Sequence, residues 1–473
     1  LSRPTASKPI ADAAQRRRAL DPQESFIVQA PAGSGKTELL IQRFLSLLAR
    51  VDHPESVLAI TFTIKATGEM RDRILTALRE AAGPAPTEAH KEQTWRLARA
   101  VLDRDREHNW QLLENPSRLR IQTMDALCAS IVRQMPWLSR FGALPDIKEK
   151  ADVYYRAAAR ATLEALEADD TASAPLELLL HHLDNDFAKV EKLLTDMLSK
   201  RDRWLRHVAG QRGSADRAEL EQALRNIAHE SLETVRRSVP ASRAAALLSH
   251  TPHTEFPGTR PEDLHAWRGV AEKLLTKGKY GKPRKHVERD VDLAPDHPFY
   301  LHLRDLHRLP CKGYDEAQWI IIEALYHLLL RAAAELTLVF QREGVTDFQE
   351  LGTAARRALG SPEEPAELAF SLDYRMQHIL VDEFQDTSYS QYELIHALTA
   401  DWQPGDGRTL FAVGDPMQSV YLFRDAEVGL FLKARQEGLG QIPLTPLRLE
   451  VNFRSGAGLV NWVNRAFPGA FSD

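Results

Sequence analysis

Two short stretches of this chain carry residue types suited to phosphoryl chemistry. The first is Ala30-Pro31-Ala32-Gly33-Ser34-Gly35-Lys36-Thr37. Gly33 and Gly35 let backbone N–H groups turn inward around phosphate oxygens with no Cβ in the way. Lys36 is spaced to reach the β- and γ-phosphates, and the Thr37 hydroxyl to ligate Mg²⁺. A helical run from Glu38 to Leu48 follows and offers its positive N-terminal end to the same anion. Ala30 stands where the usual pattern has its first glycine. The second stretch is Ile379-Leu-Val-Asp-Glu-Phe-Gln-Asp386, an aliphatic run ending in adjacent carboxylates. Asp382 at its tip would hold Mg²⁺, usually through water, and Glu383 would polarise an attacking water as general base. Alone, the first could be a glycine-rich turn and the second an ordinary acidic strand exit. Together they point to a nucleoside triphosphatase using ATP and Mg²⁺.

Such groups need a sheet to hold them. Short aliphatic runs occur at Phe26–Gln29, Val57–Thr61, Leu119–Gln122, Ile379–Val381, Leu410–Val413 and Leu447–Glu450. They do not alternate, as expected of parallel strands covered on both faces. Five of the six run into a polar cluster, and ligand crevices of open α/β sheets lie outside the carboxyl ends of strands. From about Ser139 to Arg342 the alternation stops, and Leu, Ala, Glu and Arg recur at helical spacing, as in Phe187 to Leu198. The fold expected is α/β, a P-loop domain with a parallel sheet and helices on both faces, carrying a large, mostly helical insert. The expected division is 1–138 (first part of the ATPase domain), 139–342 (insert), 343–440 (its second part) and 441–473 (start of a further domain). The absent initiating Met and the abrupt end suggest a fragment.

Composition excludes less than the motifs include. The 473 residues are 43% hydrophobic and 27% charged, typical of a globular protein, with a net charge of −5. That charge neither favours nor opposes nucleic acid, because binding needs only a local basic groove. Cys128 and Cys311 match no metal spacing and read as reduced core thiols. The lipophilic run Trp319 to Phe340 carries Glu323, His327, Arg331 and Glu335 at a spacing of four, so it reads as an amphipathic helix and not a membrane span. No targeting segment is evident, and a cytoplasmic location is expected. His181-His182 and His302 with His307 have no supporting metal pattern.

The order of motifs resembles superfamily 1 helicases of the UvrD/Rep type, and more closely the helicase subunits of the RecB (exonuclease V beta) and AddA kind. The stretch Thr61-Phe-Thr-Ile-Lys-Ala-Thr-Gly-Glu-Met-Arg71 looks like motif Ia, and Gln122-Thr-Met-Asp-Ala-Leu127 like the next DNA-contacting motif. Val381–Thr387 is close to motif II, Gly414–Arg424 to motif III, and Asn452-Phe-Arg-Ser455 to motif IV. Arg201-Asp-Arg-Trp-Leu205 and Leu274-Leu-Thr-Lys277 also look RecB/AddA-like.

The resemblance implies a RecA-like ATPase domain and a DNA translocase of 3′→5′ polarity in repair or recombination. It gives catalytic roles to Lys36, Glu383, Gln418 (a γ-phosphate sensor) and Arg454 (neutralising charge on the transferred group). The implied nucleotide contacts are Gln15, Ala30, Ala32, Gly33, Ser34, Gly35, Lys36, Thr37, Glu38 and Phe453, with Thr37 and Asp382 on the metal. Arg43 is open between bordering the nucleotide and being an outward helix arginine. Phe62 and Phe423 would stack on bases, with Tyr421 beside them, and Thr63, Thr123 and Arg424 would contact phosphates or link motifs. The partners implied are single-stranded or junction DNA, with a second recombination-complex subunit left open, and no membrane. The basic run Lys273 to Arg289 is either a DNA-touching loop or a solvated charged one. The family's motifs V and VI do not occur before Asp473, so weak Mg·ATP binding and poor turnover are expected of these residues alone. A silent DNA-binding scaffold is the competing reading, which the joint presence of Lys36, Thr37, Asp382, Glu383, Gln418 and Arg454 opposes. An unrelated P-loop kinase or GTPase leaves the Phe423 and Asn452 motifs unexplained.

Overall fold

The computed structural model describes residues 11–135, 145–164, 173–209, 216–276, 281–309, 313–360, 376–418 and 428–470. The chain divides into two compact units, and the first holds the described residues of Leu1–Ala157, Asp196–Trp204 and Leu336–Val460. Its centre is a six-stranded parallel sheet. The strands are β1 (Phe26–Gln29), β2 (Val57–Thr61), β3 (Arg120–Thr123), β6 (His378–Val381), β7 (Thr409–Gly414) and β8 (Thr445–Arg448), ordered β3-β2-β6-β7-β1-β8. A separate two-stranded pair, β4 (Asp146–Ile147) with β5 (Val345–Thr346), is also parallel.

Burial follows the pleat. Side chains at Ile27, Leu58, Ile60, Ile379, Val381, Leu410 and Ala412 join one core cluster. Those at Phe26, Val28, Val57, Ala59, Leu380, Phe411 and Val413 join the other. On the second face lie α2 (Lys36–Leu48), α3 (Ile64–Ala81) and α4 (Ala89–His108); on the first lie α5 (Met124–Gln134) and the helices Phe348–Leu359, Tyr389–Leu398 and Val428–Glu437. Fully covered strands explain the unbroken aliphatic runs, and every run expected as a strand is one, with ends shifted by a residue or two.

Residues 445–448, within the stretch expected to begin a further domain, form the edge strand of this sheet, with Ile27 opposite Pro446 and Val28 opposite Leu447. Pro446 lacks an N–H, which an edge position tolerates, and Leu447 and Leu449 enter the second core cluster.

Residues 196–204 dock into this first unit through a buried ion pair. The Arg201 guanidinium donates to both Asp347 oxygens, 2.7 and 2.5 Å, and the Tyr155 hydroxyl donates to the same carboxylate at 2.6 Å. Asp347 also accepts from Glu350 N at 2.8 Å as the N-cap of Phe348–Leu359. Burial pushes Asp347 up, but Arg201 and these donors hold it below the usual carboxylate range. Removing one partner of such a pair is costly, because the other charge stays buried.

The second unit, the described residues of Ala158–Thr195, Leu205–Glu335 and Asn461–Asp473, is helical. Trp267, Val270, Leu274, Val287, Phe299 and Leu303 form its core, with Trp267 stacked on Phe256 at 5.6 Å. The helix read from Phe187 to Leu198 has those ends. Glu316–Glu343 is one helix, and Arg331 pairs with Glu335 on it at 2.8 Å, the wet face inferred from the spacing. No helix among the described residues is long and apolar enough to cross a membrane.

Candidate nucleotide site

The glycine loop leaves β1 and bends back into α2 through two left-handed glycines, Gly33 at φ +78° and Gly35 at φ +77°. Ala30 is buried, and its N–H donates to the Gly414 carbonyl at 2.9 Å, anchoring the loop to β7. Ser34 N–H donates to the Pro31 carbonyl at 3.0 Å, whereas the buried Ser34 Oγ has no hydrogen-bond partner. Such an orphan suits a loop that accepts a polar ligand.

Lys36, first residue of α2, meets the two carboxylates at the end of β6. Its Nζ lies 2.5 Å from Glu383 Oε1 and 3.8 Å from Asp382 Oδ1. Glu383 adopts φ +49°, an unusual conformation for a non-glycine residue. Burial, reinforced by Glu383, holds the Asp382 carboxyl above its ordinary range although Lys36 opposes the shift. Gln385 then links the acidic motif to β7: its Nε2 donates to Glu383 Oε2 at 2.9 Å and its Oε1 accepts from Asp415 N at 2.9 Å. Gln418 donates through Nε2 to the Asp415 carboxylate and through its backbone N–H to the Asp415 carbonyl at 2.9 Å. Gln385 and Asp415 were not singled out in the sequence, though both lie inside the quoted motifs.

The segment after β8 crosses the loop. Phe453 N–H donates to the Gly33 carbonyl at 2.7 Å, and Asn452 Oδ1 accepts from the N–H groups of Arg454 and Ser455 at 2.8 and 3.0 Å. Phe453 is 57% exposed, leaving its ring available. The N-terminal helix α1 (Ala13–Arg18) secures this crossing. Gln15 Oε1 accepts from Arg448 N at 2.6 Å, and Asp12 accepts from Glu450 N and Val451 N at 2.9 and 3.2 Å. Burial pushes Asp12 up, but Arg16 and those N–H groups hold it below its ordinary value. Arg16 grips Asp12 with two bonds of 2.8 Å, donates to the Ser34 carbonyl at 2.7 Å and lies 5.1 Å over the Phe453 ring. Asp12 and Arg16 were missed because a charged helix residue usually reads as solvated.

Other expected residues have different partners or none shown at this centre. Glu38 accepts from Thr94 Oγ1 at 2.5 Å and Gln42 Nε2 at 3.2 Å, tying α2 to α4. Ala32 is exposed and Thr37 half-buried. Arg43 neither borders the loop nor points outward. It is wholly buried, donating to the carbonyls of Ala19 (3.2 Å), Asp21 and Glu24 (2.9 Å) and to Thr409 Oγ1 (3.2 Å), between the rings of Phe26 and Phe411. Burial pushes its guanidinium down to about 9. The physical reason is local: the turn after α1 exposes carbonyls inward, and Arg43 satisfies them.

Phe62 and Thr63 follow β2, and Thr123 is the last residue of β3. Thr63 caps α3, accepting from Ala66 N at 3.1 Å, and Thr123 caps α5, accepting from Ala126 N at 3.2 Å. Phe62 lines a cavity of about 210 Å³ with Met124, Asp125 and Gln391. Tyr421, Phe423 and Arg424 lie outside the described residues, as does Cys311. Cys128 is buried, and burial pushes its thiol up.

The UvrD/REP helicase N-terminal domain matches residues 11–438. The chain belongs to that family. This UvrD/REP-family chain is also similar to proteins named as subunits of an ATP-dependent helicase/nuclease. The one from Lysinibacillus sphaericus is 25% identical over 94% of the chain, that from Desulfitobacterium hafniense 26% over 96%, and that from Pelotomaculum thermopropionicum 27% over 93%. The chain spans 38%, 35% and 37% of their respective lengths.

Proposed function

We propose that this chain is the ATP-hydrolysing part of a DNA helicase in repair or recombination that moves 3′→5′ along single strands. The observation that carries the reading is the junction of Lys36 with Asp382 and Glu383 beneath a loop crossed by the segment bearing Arg454. The left-handed glycines and the orphaned Ser34 hydroxyl suit a polyphosphate, and the oxygen donors Thr37 and Asp382 suit Mg²⁺. Bound Mg·ATP would supply the phosphoryl group transferred to water.

This chain's residues do the rest. Lys36 holds β- and γ-phosphate oxygens, and a polyphosphate there competes with Glu383 for its ammonium. Glu383, so released, takes a proton from the attacking water. Gln418 is coupled to Glu383 through Asp415 and Gln385, so a change at the γ-phosphate position reaches both motifs. Arg454 compensates charge on the transferred group, and Phe453 covers the base whose edge Gln15 reads. Glu38 orients α2 from its first turn. Phe62, with Phe423 and Tyr421, stacks on bases, while Thr63, Thr123 and Arg424 steady the strand's phosphates. Similar proteins are named as subunits, which supports a partner chain in the complete assembly.

The test is ATP turnover with and without single-stranded DNA in the full-length protein and in its Lys36→Ala variant. Stimulation by DNA that is lost in the variant is expected; stimulation that survives in Lys36→Ala refutes the reading.

A further inference from the structure

The second unit contains a cleft of about 780 Å³ whose lining the ATP reaction does not use. Lys273, Arg284, Arg304 and Arg308 line it, together with the imidazoles of His250, His286 and His307. Four stretches bring them together, His250 standing just after the short helix Ala244–Leu248. The helix Leu264–Leu274 ends at Leu275, which bridges antiparallel to Pro283 before the helix Lys285–Val291 begins. The helix Pro298–Asp305, extended by a 3₁₀ turn at Leu306–Arg308, contributes the remaining arginines. Val270, Leu274, Val287, Leu303 and Leu306 are buried in one cluster beneath these stretches, which fixes the lining backbone.

Arg284 belongs partly to the scaffold. It donates from Nε to the Leu275 carbonyl at 3.0 Å and from Nη2 to the Glu272 carbonyl at 2.8 Å, closing the end of Leu264–Leu274. The other cations have weaker commitments. Arg304 Nε is buried with no hydrogen-bond acceptor, its nearest carboxylate being Asp305 at 3.7 Å. Arg308 reaches the same Asp305 only at 3.8 Å, and its side chain is 70% exposed.

The charge balance is positive. Glu272 is the one carboxylate among the lining residues described, with Asp305 beside the arginines and Asp290 3.7 Å from His250 Nε2. Asp290 is itself paired with Arg289 at 2.8 Å, so Lys273, Arg284, Arg304 and Arg308 against Glu272 and Asp305 leave the lining net positive. Among the described residues no three His, Cys, Asp or Glu side chains are placed to hold a metal ion. Forked guanidinium donors beside an ammonium suit the oxygens of a phosphate group.

We propose that this cleft is a phosphate-binding site, distinct from the nucleotide site and built by the helical unit. Its ligand is a phosphodiester of a nucleic-acid strand or a free di- or triphosphate. Lys273 and Arg308 supply the exposed charge, and Arg304 the partly buried fork.

The test compares Lys273→Gln/Arg308→Gln with its parent, both carried in Lys36→Ala to weaken binding at the nucleotide loop equally. Pyrophosphate is titrated by calorimetry, and fluorescent single-stranded and duplex oligonucleotides by anisotropy across a salt series. At least one probe is expected to bind about tenfold more weakly in the variant. Loss on DNA, with a salt slope smaller by about two for two phosphate contacts removed, assigns a phosphodiester. Loss confined to pyrophosphate assigns a free phosphate. Circular dichroism checks folding, and Arg308→Gln alone should give a smaller loss in the same direction. Both probes binding the variant within threefold of the parent overturns the proposal. That outcome leaves the ATP reading untouched, since its own test uses neither residue.

Discussion

Replacing Gly33 by alanine perturbs the candidate nucleotide site where the loop meets the Asn452–Arg454 crossing. An ideal Cβ there lies 2.6 Å from Asn452 Oδ1 and 2.7 Å from Arg454 Cβ, while Gly33 holds φ +78°. The left-handed conformation costs an L-residue roughly 1–2 kcal/mol. Losing the hydrogen bond from Phe453 N–H to the Gly33 carbonyl adds about 1 kcal/mol. Ordinary contact begins near 3.4 Å, so Asn452 and Arg454 must retreat by about 0.8 Å to clear the new methyl. Misplacing a reacting group by about 1 Å can cost on the order of 100-fold in rate. Gly33→Ala should thus lose about 2–3 kcal/mol in chemical denaturation and about 100-fold in DNA-stimulated ATP turnover. ATPase activity within threefold of the parent, in a protein that remains folded, would refute this account of the crossing.

Two further substitutions probe the buried polar groups. Arg43→Met strips donors from the carbonyls of Ala19, Asp21 and Glu24, and stability should fall by about 3 kcal/mol with ATP affinity of the folded protein within threefold. Lost affinity at unchanged stability would return Arg43 to the nucleotide. His378, bonded through Nδ1 to Thr409 Oγ1 at 2.8 Å, is pushed down to about 3 by burial, assisted by Arg43. Below its ordinary 6.5 the unfolded chain takes a proton that the folded chain refuses. Stability contributed by neutral His378 is therefore complete above that pH and lost toward pH 3, by up to about 1.4 kcal/mol per unit. Denaturation at pH 7, 5.5 and 4.5 should show a shallower decline in His378→Gln than in the parent; equal slopes contradict the assignment.

The sheet was legible because it rests on local patterns. Aliphatic runs that do not alternate are what two covered faces require, and the glycine loop and paired carboxylates stand at strand ends. Asn452-Phe-Arg-Ser455 was read as a unit whose position depends on β8; the run at Leu447 was read as a strand, but the start at Thr445-Pro446 carries too little apolar signal to mark its true ends. Arg43 was misread because helix periodicity cannot see the inward carbonyls of a neighbouring turn. The same limitation hid Asp12 and Arg16, whose partners Glu450, Val451 and Phe453 lie more than 400 residues away. Gln385 and Asp415 sat inside recognised motifs, yet only their hydrogen bonds reveal that they join Glu383 to Gln418.

Glu383→Gln bears most directly on the central claim, because it keeps the side chain's shape and an oxygen that can accept from Gln385 while removing the proposed base. Nucleotide affinity and DNA-stimulated turnover should be measured on the same protein. Affinity within about threefold of the parent with turnover reduced by about 100-fold or more is the predicted result. Turnover equal to the parent's would contradict Glu383 as the base that activates water.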